Sequence, residues 1–313
     1  MDHPPHSAGS PLGGLLIAAL AAVLFAVGAV LQHEAAADST SSSGLNLARL
    51  VRRPRWLFGQ TATMLGTGSQ VVALALAPVA VVQPMLAVGL VVALGLRAVR
   101  LRQVPFRREL LGAALTTAGL AVFLLAARPR PAQHLAQPSS LAVIVAVALS
   151  VLLVVGATLL GHGAHGALAC GSAAGIAAGI AAVLISVGIL SLREGGWVHA
   201  LAGIAIWGAL VVAVVAIIGG QQAYSRGSLA WSLPALTVAD PLAAVPAARI
   251  LLGESLEPGH ASVWLPAGIV AAVGVVLLAR SPDQQPGPAV SEGTPSEERG
   301  RSDDAGGCAA AEH

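Results

Sequence analysis

The 313-residue chain is 56% apolar and only 10% charged, with a mean hydropathy of +0.79 and a net charge of +2. Soluble globular domains are about 45–50% apolar and about 25% charged, so this composition excludes a soluble fold and predicts an integral membrane protein. The small net charge gives no indication of nucleic-acid binding. The two cysteines, Cys170 and Cys308, give no reason to expect a disulfide or a metal site.

Continuous apolar runs predict nine membrane-spanning helices, because a run of about 20 residues crosses the hydrocarbon layer of a bilayer. In chain order they cover about 13–31, 56–77, 79–97, 109–127, 140–160, 166–191, 200–224, 231–252 and 262–280. The first run follows a segment without Lys or Arg, so we expect it to stay as a helix rather than be cleaved as a signal peptide. The expected fold class is an all-α integral membrane protein.

The two halves of the chain resemble each other. The pattern Ala-Ala-Val-Leu-x-x-Val-Gly at 21–28 recurs at 181–188. Further matches about 150 residues apart pair Trp56 with Trp207, Gln70 with Gln221, and Pro84 with Pro234. The pattern predicts a first repeat at 13–127, a connector helix at 140–160 and a second repeat at 166–282, flanked by an extracytoplasmic segment at 1–12 and a disordered cytoplasmic tail at 283–313. Such duplications favour a transporter, because inverted repeats supply two halves that alternately open a site at the membrane midplane.

The arginines predict an orientation. If the N-terminus lies outside and the C-terminus inside, thirteen of the 17 basic residues fall on the cytoplasmic side, as the positive-inside rule requires. Five of them form a cluster between Arg97 and Arg108, which we interpret as an orientation signal attracted to anionic lipid. With an odd number of spans, corresponding helices of the two repeats then run in opposite directions. The expected location is the cell membrane.

Four segments carry a family resemblance. They are Phe-Ala-Val-Gly-Ala-Val-Leu-Gln-His at 25–33, Arg-Arg-Pro-Arg-Trp at 52–56, Ala-Leu-Ala-Pro-Val-Ala-Val-Val-Gln-Pro-Met at 75–85 and Leu-Leu-Gly-Glu-Ser-Leu at 251–256. Together they resemble the drug/metabolite transporter superfamily, more narrowly its EamA-like bacterial members and the nine-span branch that contains the NIPA-type magnesium transporters. The resemblance covers about 13–282 and implies a bundle of two inverted repeats that moves a small solute. Near residue 104, where the first repeat should match the Leu-Gly-Glu motif, the chain instead has Arg97, Arg100 and Arg102.

Asp240 is the strongest candidate for a binding residue, because it is an acidic residue near the middle of an apolar span. An ionised carboxylate there costs a few kcal/mol unless it faces water, a partner or a bound cation. A purely structural role, in which a neighbouring helix holds the carboxylate, stays open. Four prolines within spans are candidate helix breaks or gating points, because an interrupted helix often lines a substrate cavity: Pro84, Pro234, Pro241 and Pro246.

Amide and hydroxyl side chains at membrane depth form the rest of the candidate substrate site. They are Gln60, Thr63, Thr67, Gln70, Gln83, Gln221, Gln222 and Thr237. Such groups can bind a polar solute, or they can bond between helices, which contributes only about 1 kcal/mol each. Both interpretations stay open. Gly171, Gly175 and Gly179, at four-residue spacing, predict a close helix-packing surface.

The sequence predicts a secondary transporter of a small metabolite or drug-like solute that works by alternating access. A magnesium permease and a non-transporting membrane scaffold or regulator are the alternatives. No nucleotide-binding or hydrolase motif occurs in a suitable context, so we expect no enzyme activity, no catalytic residue, no cofactor and no bound metal. The expected partners are the lipid bilayer and a small-molecule or ion substrate, with a homodimer left open.

Overall fold

The computed structural model describes residues 11–41, 44–76, 79–102, 106–127, 129–130, 138–253, 255–256 and 260–280. Within these ranges the chain forms the helices α1 Pro11–Ala37, α2 Leu47–Leu50, α3 Pro54–Leu76, α4 Val79–Leu101, α5 Arg107–Ala127, α6 Ser140–Thr158, α7 Ala164–Ala202, α8 Ile204–Arg226, α9 Leu229–Leu252 and α10 Ala261–Ala279. Two short antiparallel pairs join loops: β1 Thr40–Ser41 with β2 Gly44–Leu45, and β3 Pro129–Arg130 with β4 Ser255–Leu256. Nearly all of the predicted segments 1–12 and 283–313 lies outside the described residues.

Seven of the described helices are long and apolar enough to cross a bilayer, which makes the chain a multi-pass, all-α membrane protein. These stretches are Leu12–Ala37, Arg107–Ala127, Ser140–Thr158, Ala164–Leu192, Ile204–Arg226, Leu229–Leu252 and Ala261–Ala279. Helices α3 and α4 have 23 residues each but are not among the seven, so the nine predicted crossings are shown only in part. In α3, the amides and hydroxyls between Gln60 and Gln70 lower the hydropathy.

Three predicted helix ends were too early, and one of them is that of α4, which continues from 97 to Leu101. Helix α1 continues to Ala37 rather than ending at 31, because the polar residues Gln32 and His33 find partners inside the protein and need no solvent. Helix α7 continues past 191 to Ala202. It is interrupted at Gly196, whose φ of 72° is accessible to glycine at low cost, so the expected loop is a kink between two helical segments.

Packing follows the same order in both halves of the chain. Helix α1 packs against α3 and α4, and α7 packs in the same way against α8 and α9. Helices α5 and α10, which occupy corresponding places in the two predicted repeats, pack against each other, while α6 packs on α7 and α8. Contacts of α1 with α8 and α9 join the two sets. This neighbour order is the one a duplicated unit requires, while the inversion of the repeats stays a prediction.

Ion pairs connect α1, α4 and α5 at one end of the bundle. Arg97 Nη1 lies 3.6 Å from Glu109 Oε1, and both side chains are buried. Arg100 Nε lies 2.8 Å from Glu34 Oε1. The predicted attraction to anionic lipid therefore does not apply to Arg97, which is buried against Glu109, whereas the side chain of Arg100 stays 45% exposed beside Glu34.

Candidate functional site

A cavity of about 800 Å³ lies between α1, α3, α4, α5, α7, α8 and α9. Most of its wall is apolar, formed by alanine, leucine and valine side chains. The polar residues on the wall are Gln32, Gln60, Thr63, Thr67, Gln70, Ser186, Gln221, Tyr224, Thr237 and Asp240. Its volume and its few polar groups on an apolar surface are typical of small-molecule sites.

The cavity brings together most of the residues that the sequence proposes for substrate binding. They are Gln60, Thr63, Thr67, Gln70, Gln221, Thr237 and Asp240. The four residues from α3 recur at spacings of three and four, which place them on one face of the helix. Gln70 and Gln221, which correspond in the two predicted repeats, line the same cavity from α3 and α8. Their role in binding stays a prediction.

Two proposed residues do not contribute described side chains to the wall. Gln222 does not line the cavity, and its side-chain oxygen accepts a hydrogen bond from the Arg226 guanidinium. Arg226 also donates to the Thr158 carbonyl at 3.2 Å, which ties the end of α8 to the end of α6. The side chains of Gln83 and Pro84 lie outside the described part of the structure, although the backbone there belongs to α4.

The prolines of α9 do not break the helix. Helix α9 is continuous from Leu229 to Leu252 and contains Pro234, Pro241 and Pro246, so the expected interruption is absent. Membrane helices tolerate proline where their neighbours hold the backbone in place, and α7 packs along α9. Pro241 lines the cavity, whereas Pro234 is fully buried and Pro246 is exposed.

Gly171, Gly175 and Gly179 bring α7 and α9 into backbone contact. A Cβ atom on Gly171 would lie 2.6 Å from the Ser232 carbonyl oxygen, and one on Gly175 would lie 3.0 Å from the Asp240 nitrogen. A Cβ atom on Gly179 would collide with the Asp240 carbonyl oxygen. These glycines therefore fix the position of the α9 turn that carries Asp240.

Asp240 is half-buried and faces the cavity. Its carboxylate has no ion-pair or hydrogen-bond partner among the residues that the structure describes. The structural role that the sequence left open, a carboxylate held by a neighbouring helix, therefore has no supporting contact in these ranges. Its carboxylate is available to a solute or a proton in the cavity.

A chain of hydrogen bonds crosses the cavity wall from α8 through α1 to α3. Gln221 Nε2 donates to Gln32 Oε1 at 2.7 Å, Gln32 Nε2 donates to Thr63 Oγ1 at 2.9 Å, and Thr63 Oγ1 donates to the Gly59 carbonyl at 3.1 Å. Because a carbonyl can only accept, the Gly59 end fixes the direction of every bond in the chain. Gln221 Oε1 is left buried without a hydrogen-bond partner among the described residues.

Gln32, like Ser186 and Tyr224, is a polar wall residue that was not among the proposed site residues. Phe25, Ala29 and Gln32 all line the cavity, at spacings of four and three along α1. That helical spacing of an aromatic residue and an amide is the signal that could have identified it. It was overlooked because Gln32 lies just past the predicted end of the first span at 31.

The comparisons with known proteins give one relative without an assigned function. The chain is 28% identical over 277 residues to an uncharacterized protein of Corynebacterium glutamicum, a match that covers 85% of this chain and 93% of that protein. No protein-family model and no solved structure matches the chain. The resemblance to drug/metabolite transporters therefore depends on the sequence segments described above.

Proposed function

We propose that this protein is a secondary transporter of the drug/metabolite type that moves a small organic solute across the cell membrane. The observation that carries the proposal is the cavity of about 800 Å³, lined from both halves of the chain and containing the unpaired carboxylate of Asp240. A carboxylate at membrane depth is costly unless it serves a solute, an ion or a proton. If the Asp240 carboxylate had only a structural role, it would not need to face a cavity.

Alternating access provides the mechanism. One set of helices, α1 with α3 and α4, rocks against the other, α7 with α8 and α9, and the two sets share the cavity wall. In this proposal the repeats are inverted, the N-terminus lies outside and the C-terminus lies in the cytoplasm. The matching neighbour order of the two sets supports the rocking movement, because two similar units can exchange similar contacts as they move.

Reconstituted protein tests the proposal. Proteoliposomes are loaded with candidate solutes, namely amino acids, sugars, nucleosides, organic cations or Mg²⁺, and uptake of the labelled solute is measured against empty liposomes with and without a pH gradient. We expect saturable flux of one organic class. Asp240→Asn is expected to lower that flux at least tenfold, because it removes the charge while keeping the size of the side chain.

Asp38→Asn is the matched control. Asp38 lies outside the cavity in an exposed ion pair with Arg55, at 3.3 Å, so its loss should leave the flux unchanged. Flux of Mg²⁺ alone would favour the magnesium permease, although Mg²⁺ sites usually use one or two carboxylates together with several retained waters. A folded protein that moves none of these solutes would contradict transport and favour the scaffold.

A further inference from the structure

The charge of the cavity wall is one-sided. Among its described residues, Asp240 carries the carboxyl group, and there is no arginine or histidine. The nearby cations are engaged elsewhere: Arg97 with Glu109, and Arg226 with Gln222 and the Thr158 carbonyl. The field in the cavity therefore favours a positively charged solute, because opposite charges attract strongly where water is scarce.

Among the described residues, two acceptors on the wall lack a hydrogen-bond donor, beside the side-chain amides of Gln60 and Gln70, which can both donate and accept. Gln221 Oε1 is buried and unpaired, and its partner amide is committed to the chain that ends on Gly59. Pro241 has no N–H, so it cannot bond the carbonyl of Thr237 one turn earlier, and both residues line the cavity. A solute that satisfies these two acceptors must donate hydrogen bonds, and the Asp240 carboxylate favours one that also carries positive charge.

The size and surface of the cavity suit an organic molecule better than a bare metal ion. A volume of about 800 Å³ suits an organic molecule. Phe25 and Tyr224 line the wall, and aromatic rings attract organic cations through their faces. A Cβ atom on Gly220 would lie 3.5 Å from Leu236 Cδ1, one helical turn before Asp240, so the turns of α8 and α9 that carry Gln221 and Asp240 are neighbours.

We propose that the solute is an organic monocation with a primary ammonium group, whose N–H donors bind the Asp240 carboxylate and Gln221 Oε1 while its apolar body packs against Phe25 and Tyr224. This inference depends on the proposed transport function for its biological role. It names the substrate class of that site, which neither the resemblance nor the relative assigns.

Binding to the purified full chain tests the class without requiring transport. The probes are benzylammonium, benzyltrimethylammonium and benzyl alcohol, which share one ring and differ in charge and in N–H donors. We expect labelled benzylammonium to bind saturably and benzyl alcohol to compete at least tenfold more weakly. Benzyltrimethylammonium should fall between them, because it keeps the charge but cannot donate to Gln221.

Three variants assign the contacts. Asp240→Asn should weaken benzylammonium binding at least tenfold. Gln221→Leu should weaken benzylammonium several-fold and leave benzyltrimethylammonium unchanged, which also shows that the variant is folded. Ser225→Ala is the neighbouring control on α8, outside the cavity, where the hydroxyl bonds the Gln222 carbonyl of its own helix, and it should bind all three probes as the natural chain does.

The two proposals can fail separately. If benzyl alcohol binds as tightly as benzylammonium, or if benzoate binds better, the cation class is wrong whatever the flux assay shows. If proteoliposomes transport an amino acid or a sugar while benzylammonium does not bind, transport stands and the class is overturned. If benzylammonium binds through Asp240 and no solute of any class crosses the membrane, the class stands and the transport function is wrong.

Discussion

Gly175→Leu is expected to lower the thermal unfolding temperature in detergent by roughly 6 to 12 °C. A Cβ atom on Gly175 would lie 2.8 Å from the Ala239 Cβ and 3.0 Å from the Asp240 nitrogen, so a leucine forces α7 away from α9. Overpacking against backbone that cannot shift costs about 3 kcal/mol, and each kcal/mol corresponds to about 2–4 °C in a larger domain. Leucine is apolar, so the variant carries no penalty for insertion into the membrane.

Gly156→Leu is the matched control. Gly156 lies on the exposed side of α6, and a Cβ atom there would meet nothing within 4 Å. The substitution should leave the unfolding temperature unchanged or raise it slightly, because leucine is the better helix former by about 0.8 kcal/mol. Equal stability of the two variants would contradict the close contact between α7 and α9.

Gly175→Ala connects the same contact to the cavity. Its single methyl group pushes on the turn of α9 that carries Asp240 with less disruption than leucine. The folded fraction of this variant is therefore expected to bind benzylammonium more weakly, while Gly156→Ala binds it normally. This comparison separates the positioning of Asp240 from the stability of the bundle.

Much of the cavity wall could be predicted because membrane depth makes polar residues conspicuous. The amides and hydroxyls of α3 and the carboxylate of Asp240 interrupt apolar runs, and each such interruption carries an energetic cost that a site can offset. Hydropathy alone therefore identified residues on α3, α8 and α9 that lie on one cavity. It also identified seven helices with the length and composition of membrane spans.

The pairings between helices could not be predicted, because they depend on which residues face each other in three dimensions. Gln32 lies at the end of an apolar run, and its place in the cavity wall is recognised only from its hydrogen bonds to Gln221 and Thr63. The continuity of α9 through its three prolines could not be predicted either. Proline removes one hydrogen bond within the helix, and whether the helix then breaks depends on how closely its neighbours hold it.

The buried ion pair between Arg97 and Glu109, at the end of α4, is expected to have the second large effect on stability. The arginine cluster that begins at Arg97 is predicted to be an orientation signal attracted to anionic lipid, yet the Arg97 side chain is only 10% exposed. Its Nη1 lies 3.6 Å from Oε1 of Glu109, whose side chain is 7% exposed. Glu109 Oε2 also accepts the Phe106 N–H at 3.1 Å, at the start of α5. Glu109→Gln keeps an acceptor for that N–H and removes the negative charge, so it isolates the electrostatic part of the interaction.

We expect Glu109→Gln to destabilise the protein by about 3 kcal/mol, because it leaves the Arg97 charge buried without its counter-charge. The double variant Arg97→Met with Glu109→Gln should recover at least half of that loss, since it removes the stranded charge and keeps an apolar side chain of similar length. The free energy of unfolding, measured by denaturant titration in mixed micelles, checks both values. Asp38→Asn breaks the exposed pair with Arg55, whose side chains are 62% and 50% exposed, and should cost less than about 1 kcal/mol. If the double variant is no more stable than Glu109→Gln, the stranded charge is not the cause, and the end of α4 is held by packing instead.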